Sequence, residues 1–178
     1  YAFGQCSYNI LKIGNEMRTI GVGVFIISPI GGPSDNYKGL LLGKRGKTCR
    51  SGIGCLALPG GMLEDNETIE ELVRREVFEE TGLTNILFID HDQFQVPGVL
   101  AITDHLRFDG KSHLTLWVLV YCYGGIIINK EPEKCDGWQW YSEEMVRNIE
   151  GAYDTNTEQY YWTPLPLWKS ILKNHFNI

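Results

Sequence analysis

Residues 60–83 read GGMLEDNETIEELVRREVFEETGL, and this stretch carries the strongest structural signal in the chain. It opens with a pair of glycines, which favour a sharp turn. Thr68 and Glu71 have the spacing of a helix capping box, and Gly82 supplies a natural helix end. The stretch therefore predicts a turn followed by one helix over Thr68–Thr81.

Three acids of this helix, Glu76, Glu79 and Glu80, stand at i, i+3 and i+4 and share one face. Leu72 and Val73 fall on the same face, so the stripe that normally faces the core ends in carboxylates. Carboxylates this close raise one another's pKa unless a positive charge lies among them. Hard oxygen ligands without neighbouring Cys or His favour Mg²⁺ or Mn²⁺ over zinc. The alternative is an ordinary charged helix surface, balanced by neighbouring arginines.

Size and composition indicate one globular domain spanning residues 1–178, with 1–18 as a possible N-terminal extension. Hydrophobic residues make up 43% of the chain and charged residues 21%, as in soluble proteins. The net charge of −6 argues against a nucleic-acid partner, which would need excess Lys and Arg. No apolar run approaches the roughly 18 residues that a membrane helix needs, so no membrane partner is expected. A small anionic substrate held through a metal ion is compatible.

The five cysteines are scattered without a C-x-x-C pair, so neither a disulfide framework nor a zinc site is predicted. The four histidines lie too far apart for a local metal motif. A reduced, cytoplasmic setting fits this usage. The chain begins at Tyr1 rather than methionine, which is compatible with an upstream leader. A homodimer is an assembly that the sequence allows.

Apolar and β-branched runs predict strands at 20–28, 40–42, 56–58, 87–96, 113–123 and 137–141. Further helical patterns occur at 143–148 and 165–173. The first two strands are expected to form a hairpin around the turn-rich segment 29–37. The predicted class is α/β in the broad sense that includes α+β, because strands and helices mix along one chain without a linker.

The same stretch resembles the Nudix box at each of its fixed positions, which are Gly61, Glu67, Arg75, Glu76, Val77, Glu79, Glu80, Gly82 and Leu83. The chain is therefore identified as similar to the Nudix hydrolase superfamily. This resemblance implies a Nudix fold, in which a mixed β-sheet is sandwiched between α-helices. It also implies a Mg²⁺-dependent enzyme, with Mn²⁺ able to substitute, that hydrolyses a phosphoanhydride bond in a nucleoside diphosphate derivative.

Metal ligands follow from the resemblance position by position. The backbone carbonyl of Gly60 and the carboxylates of Glu76, Glu79 and Glu80 would coordinate the metal ions, with Glu133 as a possible further ligand. The metal would neutralise charge on the diphosphate oxygens and activate the attacking water.

Catalytic roles are implied in the same way. Arg75 would orient the carboxylates through a salt bridge, with Glu67 as its partner. The attacking water needs a base, which in this family is a box glutamate or an acid on another loop. Glu76 is the first choice for that base, and Glu79 and then Glu133 are the alternatives.

Outside the box, 41–45 and 131–141 resemble plant and animal MutT-like nucleotide triphosphate diphosphatases. The implied reaction converts a (d)NTP, including oxidised purines such as 8-oxo-dGTP, to NMP and pyrophosphate, for nucleotide pool sanitation. Dihydroneopterin triphosphate is another substrate of that branch. The candidate substrate-binding residues are Arg45, Lys44, Gly61 and Trp162. Trp138 and Trp140 share one strand face and are expected to belong to the core.

Two alternatives stay open. An ADP-ribose or other nucleotide-sugar pyrophosphatase is suggested by Pro97, which falls fifteen residues after Gly82, where that subgroup often carries a proline. The other alternative is a catalytically silent module that binds a nucleotide for regulation. The complete set of box carboxylates argues against such a module, because binding alone does not require every metal ligand.

Overall fold

The apolar runs of the sequence form one mixed sheet in a computed structural model, which describes residues 10–13, 16–28, 39–49, 52–89, 97–106, 112–142, 145–146, 153–154 and 159–160. The strands of this sheet are β1 (Ile10–Ile13), β2 (Glu16–Ser28), β3 (Gly39–Arg45), β4 (Leu56–Ala57), β5 (Ile86–Phe88), β6 (Val99–Leu106), β7 (Ser112–Cys122) and β8 (Cys135–Ser142). A separate pair is formed by β9 (Tyr153–Asp154) and β10 (Gln159–Tyr160).

The long strand β2 organises the sheet. It pairs parallel with β7 from Arg18 to Ile27 and antiparallel with β3 at Ile27 and Ser28, which confirms the predicted hairpin. β8 and β4 pair antiparallel with β3, while β5 and β6 pair antiparallel with β7. Parallel and antiparallel pairs therefore coexist, and the predicted mixed α/β class is confirmed.

Successive residues of β2 are buried alternately in two hydrophobic clusters, one on each face of the sheet. Val22, Val24 and Ile26 are buried on the face that is covered by the helix α1 (Ile69–Thr81). Phe25 and Ile27 point to the other face, which also buries side chains of β3 and β7 and the helical residue Val146. Each such aliphatic side chain contributes about 1.5–3 kcal/mol when it leaves water. These two layers hold the sheet rigid beneath α1.

The helix α1 follows the capping signals read from the sequence. Thr68 is its N-cap: the Glu71 N–H donates to the Thr68 hydroxyl at 3.2 Å, and the Thr68 N–H donates to the Glu71 carboxylate at 2.8 Å. Gly82 ends the helix in a left-handed conformation with φ of 74°, which favours glycine. The predicted helix is confirmed, with Thr68 as its cap. Within the described segments, no helix has the length and apolar character needed to traverse a bilayer.

Several elements differ from the sequence-based expectation. The strand expected at 87–96 is observed only at Ile86–Phe88, and residues 90–96 lie outside the described part of the chain. Strand β6 was not predicted, because Thr103 and Asp104 interrupt its apolar pattern; its pairing with β7 supplies the backbone partners that make it a strand. The short strands β1, β9 and β10 were also missed. The helix expected at 143–148 is described only at 145–146, and the one at 165–173 lies outside.

Candidate active site

The glycine pair runs along the edge of β2 in an extended segment. Val24 N–H donates to the Pro59 carbonyl at 2.8 Å, and Val22 N–H donates to the Gly61 carbonyl at 2.9 Å. A side chain at Gly60 would begin 2.1 Å from the Val22 carbonyl oxygen, and one at Gly61 would begin 2.1 Å from a Glu76 carboxylate oxygen. Gly60 therefore requires glycine for this segment to lie against β2, and a side chain at Gly61 would displace the Glu76 carboxylate.

Arg75 joins the acids of the site. Its Nε and one terminal nitrogen donate to both oxygens of Glu67 at 2.7 and 3.0 Å, a bidentate contact. The other terminal nitrogen donates to Glu76 at 2.7 Å and to Glu79 at 3.2 Å. The pair of Arg75 and Glu67 expected from the sequence is present, and the Met62 carbonyl accepts a further bond at 3.0 Å. This network fixes the orientation of the Glu76 carboxylate.

A cavity of about 360 Å³ opens beside this network. Its wall contains two acids of α1, the glycine pair, the end of β3 and the turn before β8. The lining residues include Arg45, Gly60, Gly61, Met62, Glu76, Glu80, Glu131, Lys134, Cys135 and Trp138. Carboxylates cluster at one end, with cationic side chains beside them. The arrangement suits a ligand that carries both a cation and phosphate groups.

Burial makes the acids of α1 unusual. Burial, with added repulsion from Glu76 and Glu131, raises the pKa of Glu80 from 4.5 to about 8, although Glu80 accepts a hydrogen bond from the Gly60 N–H at 3.1 Å. Burial also raises the pKa of Glu76, against the opposing charge of Arg75. For Glu67, burial acts in the same direction, but the hydrogen bonds and charge of Arg75 outweigh it and lower the pKa. Glu76 and Glu80 thus lie where an added cation would stabilise them.

The donor set fits a hard divalent cation. Within the described ranges, no group of three or more His, Cys, Asp or Glu side chains is arranged to hold a metal ion. Mg²⁺ needs only one or two protein carboxylates, because water and substrate oxygens fill its remaining positions. Glu76 and Glu80, whose carboxylates face the cavity beside Gly60, meet that requirement.

Only some of the site residues predicted from the sequence line the cavity. Glu79 is 51% exposed and pairs with Arg75, outside the cavity wall. Arg45 lines the cavity, whereas Lys44 points to the other side of β3, where its side chain approaches Gly54. Trp162 lies outside the described residues.

The turn before β8 presents a different acid from the one expected. Glu133 is exposed and does not line the cavity, while Glu131 does. The two acids flank Pro132, and the local sequence holds no signal that distinguishes them. Trp138 also lines the cavity, because its ring lies over Gly43, which has no side chain to fill that space. It was expected to belong only to the core, and its indole face packs there as well.

A scan against protein families matches the NUDIX domain over residues 17–163. The chain belongs to the NUDIX domain family. The box is complete within this range, and NUDIX hydrolases generally use divalent metals such as Mg²⁺. The matched range includes α1, the glycine pair and the turn before β8 that carries Glu131, which together contribute to the cavity wall.

Individual relatives of the NUDIX domain are distant. A segment of 30 residues is 67% identical to an ADP-ribose pyrophosphatase of Methanocaldococcus jannaschii, and this match covers 17% of the chain and 18% of that protein. The structure resembles a MutT NUDIX hydrolase from Burkholderia pseudomallei, with 24% identity, a TM-score of 0.52, and coverage of 73% of this chain and 87% of that one. It also resembles the NUDIX domain of Shewanella oneidensis NrtR, complexed with ADP ribose, with 15% identity, a TM-score of 0.61 and 88% coverage of both chains. These two likenesses establish the fold.

The raised pKa of Glu80 predicts how the stability of the metal-free NUDIX domain depends on pH. Because the folded state holds a proton on Glu80 between pH 4.5 and about 8 and the unfolded state does not, the free energy of unfolding falls as pH rises through that window. The melting temperature, measured in EDTA, should decrease from pH 5 to pH 8. In Glu80→Gln the decrease should be shallower, and equal slopes in the two proteins would contradict the assignment.

Proposed function

We propose that this NUDIX domain is a Mg²⁺-dependent nucleoside triphosphate pyrophosphohydrolase that converts a (d)NTP to NMP and pyrophosphate. The supporting observation is the cavity itself, whose wall contains the largely buried acids Glu76 and Glu80, the loop acid Glu131 and the cation Arg45. Such a wall is complementary to a phosphate chain that carries a divalent cation. The branch resemblance makes oxidised purine nucleotides such as 8-oxo-dGTP the first candidates.

The residues of the chain divide the reaction between them. When bound, Mg²⁺ supplies charge neutralisation on the phosphate oxygens and a more acidic attacking water. Glu76 takes the proton of that water as the new oxygen–phosphorus bond forms. The bond to the leaving pyrophosphate breaks with its electron pair on the pyrophosphate oxygen. Arg45 binds the phosphate chain, since a guanidinium matches phosphate oxygens in pairs. Glu131 is the alternative base.

Glu67 and Arg75 act by positioning. The bidentate contact between them fixes the guanidinium, which in turn holds Glu76 at 2.7 Å. Glu80 and the Gly60 carbonyl are proposed as metal ligands together with Glu76, and Glu79 would join them only if its side chain turned away from Arg75. The assembly as a homodimer and the cytoplasmic location stay predictions.

The test is a hydrolysis panel with Mg²⁺ in which products are separated by chromatography. Its substrates are dGTP, 8-oxo-dGTP, the other nucleoside triphosphates, dihydroneopterin triphosphate and ADP-ribose. We expect monophosphate and pyrophosphate from a triphosphate, and the ratio of kcat/KM values ranks the bases. The same panel run on Glu80→Gln controls for contaminating phosphatases, because a genuine activity disappears in that variant.

A second candidate is an ADP-ribose pyrophosphatase. It is favoured by the short, 67% identical match to the Methanocaldococcus jannaschii protein of that name and by the position of Pro97. AMP and ribose 5-phosphate from ADP-ribose, without turnover of triphosphates, would move the chain to this class. Silence across the whole panel would favour a regulatory module that binds a nucleotide without hydrolysing it.

A further inference from the structure

The turn between β7 and β8 is fixed to the loop that follows β3. The Lys134 carbonyl accepts hydrogen bonds from the Gly46 N–H at 2.7 Å and from the Cys49 thiol at 3.1 Å. Within the turn, the Lys134 N–H donates to the Glu131 carbonyl at 2.9 Å. The backbone of Lys134 is therefore held on the rim of the cavity, while its long side chain keeps its own freedom.

The side chain of Lys134 lies beside the acids at the wall of the cavity. Its Nζ lies 2.6 Å from a Glu131 carboxylate oxygen, and the side chain is 58% exposed. The Glu131 hydrogen bond, with added charge from Glu80, raises the pKa of Lys134, while Lys134 acts on Glu80 in the stabilising direction. Lys134 is thus a protein cation whose charge already acts on Glu80, one of the proposed metal ligands.

We infer that Lys134 is a substrate-binding residue that has two successive partners, the cavity carboxylates in the metal-free protein and a phosphate of the substrate in the metal-bound complex. The inference rests on the proposed function. A divalent cation held by Glu76 and Glu80 would repel the ammonium, which weakens its hold on the neighbouring Glu131. A flexible four-carbon stem and an exposed position let the ammonium reach a phosphate in the same cavity.

Because Lys134 has two proposed partners, its substitution should strengthen metal binding and weaken phosphate binding. Lys134→Met keeps the apolar stem and removes the charge, so the carboxylates lose a competing cation. We expect Mn²⁺ alone, titrated into the metal-free protein and followed by electron paramagnetic resonance, to bind about two- to fivefold more tightly than to wild type, the range that an exposed ion pair supplies. A residue that merely supports the turn would weaken Mn²⁺ binding or leave it unchanged.

The second readout uses inorganic pyrophosphate, which represents the phosphate chain common to every candidate substrate. At saturating Mg²⁺, its calorimetric dissociation constant should rise about tenfold in Lys134→Met, because a charged hydrogen bond is lost. Lys134→Arg keeps the charge and should stay close to wild type in both titrations. Lys130→Met is the matched control: it removes a lysine charge from the same segment, but Lys130 lies 3.4 Å over the Phe78 ring, outside the cavity wall.

The outcomes separate this inference from the proposed function. Tighter Mn²⁺ binding together with weaker pyrophosphate binding in Lys134→Met supports it. Unchanged Mn²⁺ or pyrophosphate affinity in Lys134→Met, or equal shifts in Lys130→Met, overturns the inference while wild-type binding and turnover keep the proposed function intact. A wild-type protein that neither binds Mn²⁺ nor hydrolyses any substrate of the panel overturns both.

Discussion

Glu80→Gln should lower kcat by about a thousandfold, since a metal ion stabilises the charge of the transition state by several kcal/mol. The glutamine keeps an oxygen that can accept the Gly60 N–H, so the turn and the helix should survive. Loss of the carboxylate removes one of the two proposed carboxylate ligands that line the cavity. The measurement is a steady-state assay at saturating Mg²⁺, with circular dichroism as the check on folding.

Glu70→Gln is the matched control for this substitution. Glu70 is an acid of the same helix, but it pairs with Arg74 at 2.8 Å on the solvent side and does not line the cavity. Its kcat should stay within about twofold of wild type, as expected for a surface pair. Near-normal turnover in Glu80→Gln would remove Glu80 from the metal site. Equal losses in both variants would mean that only the general charge of the helix matters.

Arg75→Met should damage both stability and activity. The substitution leaves the Glu67 and Glu76 side chains, which are only 11% and 12% exposed, without their counter-charge. Breaking a buried ion pair by removing one partner costs about 3–5 kcal/mol. We expect a loss near the lower end, because Arg75 is itself partly exposed. The free energy of unfolding is measured by urea titration at pH 7.

The same variant should lose activity beyond what its lower stability explains. With Glu76 no longer oriented, we expect kcat to fall about a hundredfold at a temperature at which the variant is still folded, an effect typical of a residue that orients metal ligands. Arg74→Met is the control, because Arg74 pairs with exposed Glu70 and lies 4.9 Å from the Phe88 ring centroid. It should lose about 1 kcal/mol or less and keep its kcat. Equal losses in the two arginine variants would refute the positioning role of Arg75.

The local sequence determined the box and its helix. The capping box of Thr68 and Glu71, the stop at Gly82 and the shared face of Glu76 and Glu80 all depend on residues within a few positions of one another. Such short-range patterns have the same geometry in any helix, so the sequence alone was enough to predict them. The alternation that separates Lys44 from Arg45 on β3 is local in the same way.

Only the tertiary structure showed which residues face the box across the cavity. The turn that carries Glu131 and Lys134 meets the loop after β3 through contacts such as Thr48 with the Glu133 carbonyl, 85 residues apart in sequence. That contact helps to orient the turn so that Glu131, and not Glu133, lines the cavity. Strand β6 likewise exists through pairing with β7, against its own polar residues. Long-range pairing is set by packing of the whole sheet, which no periodicity within a single segment encodes.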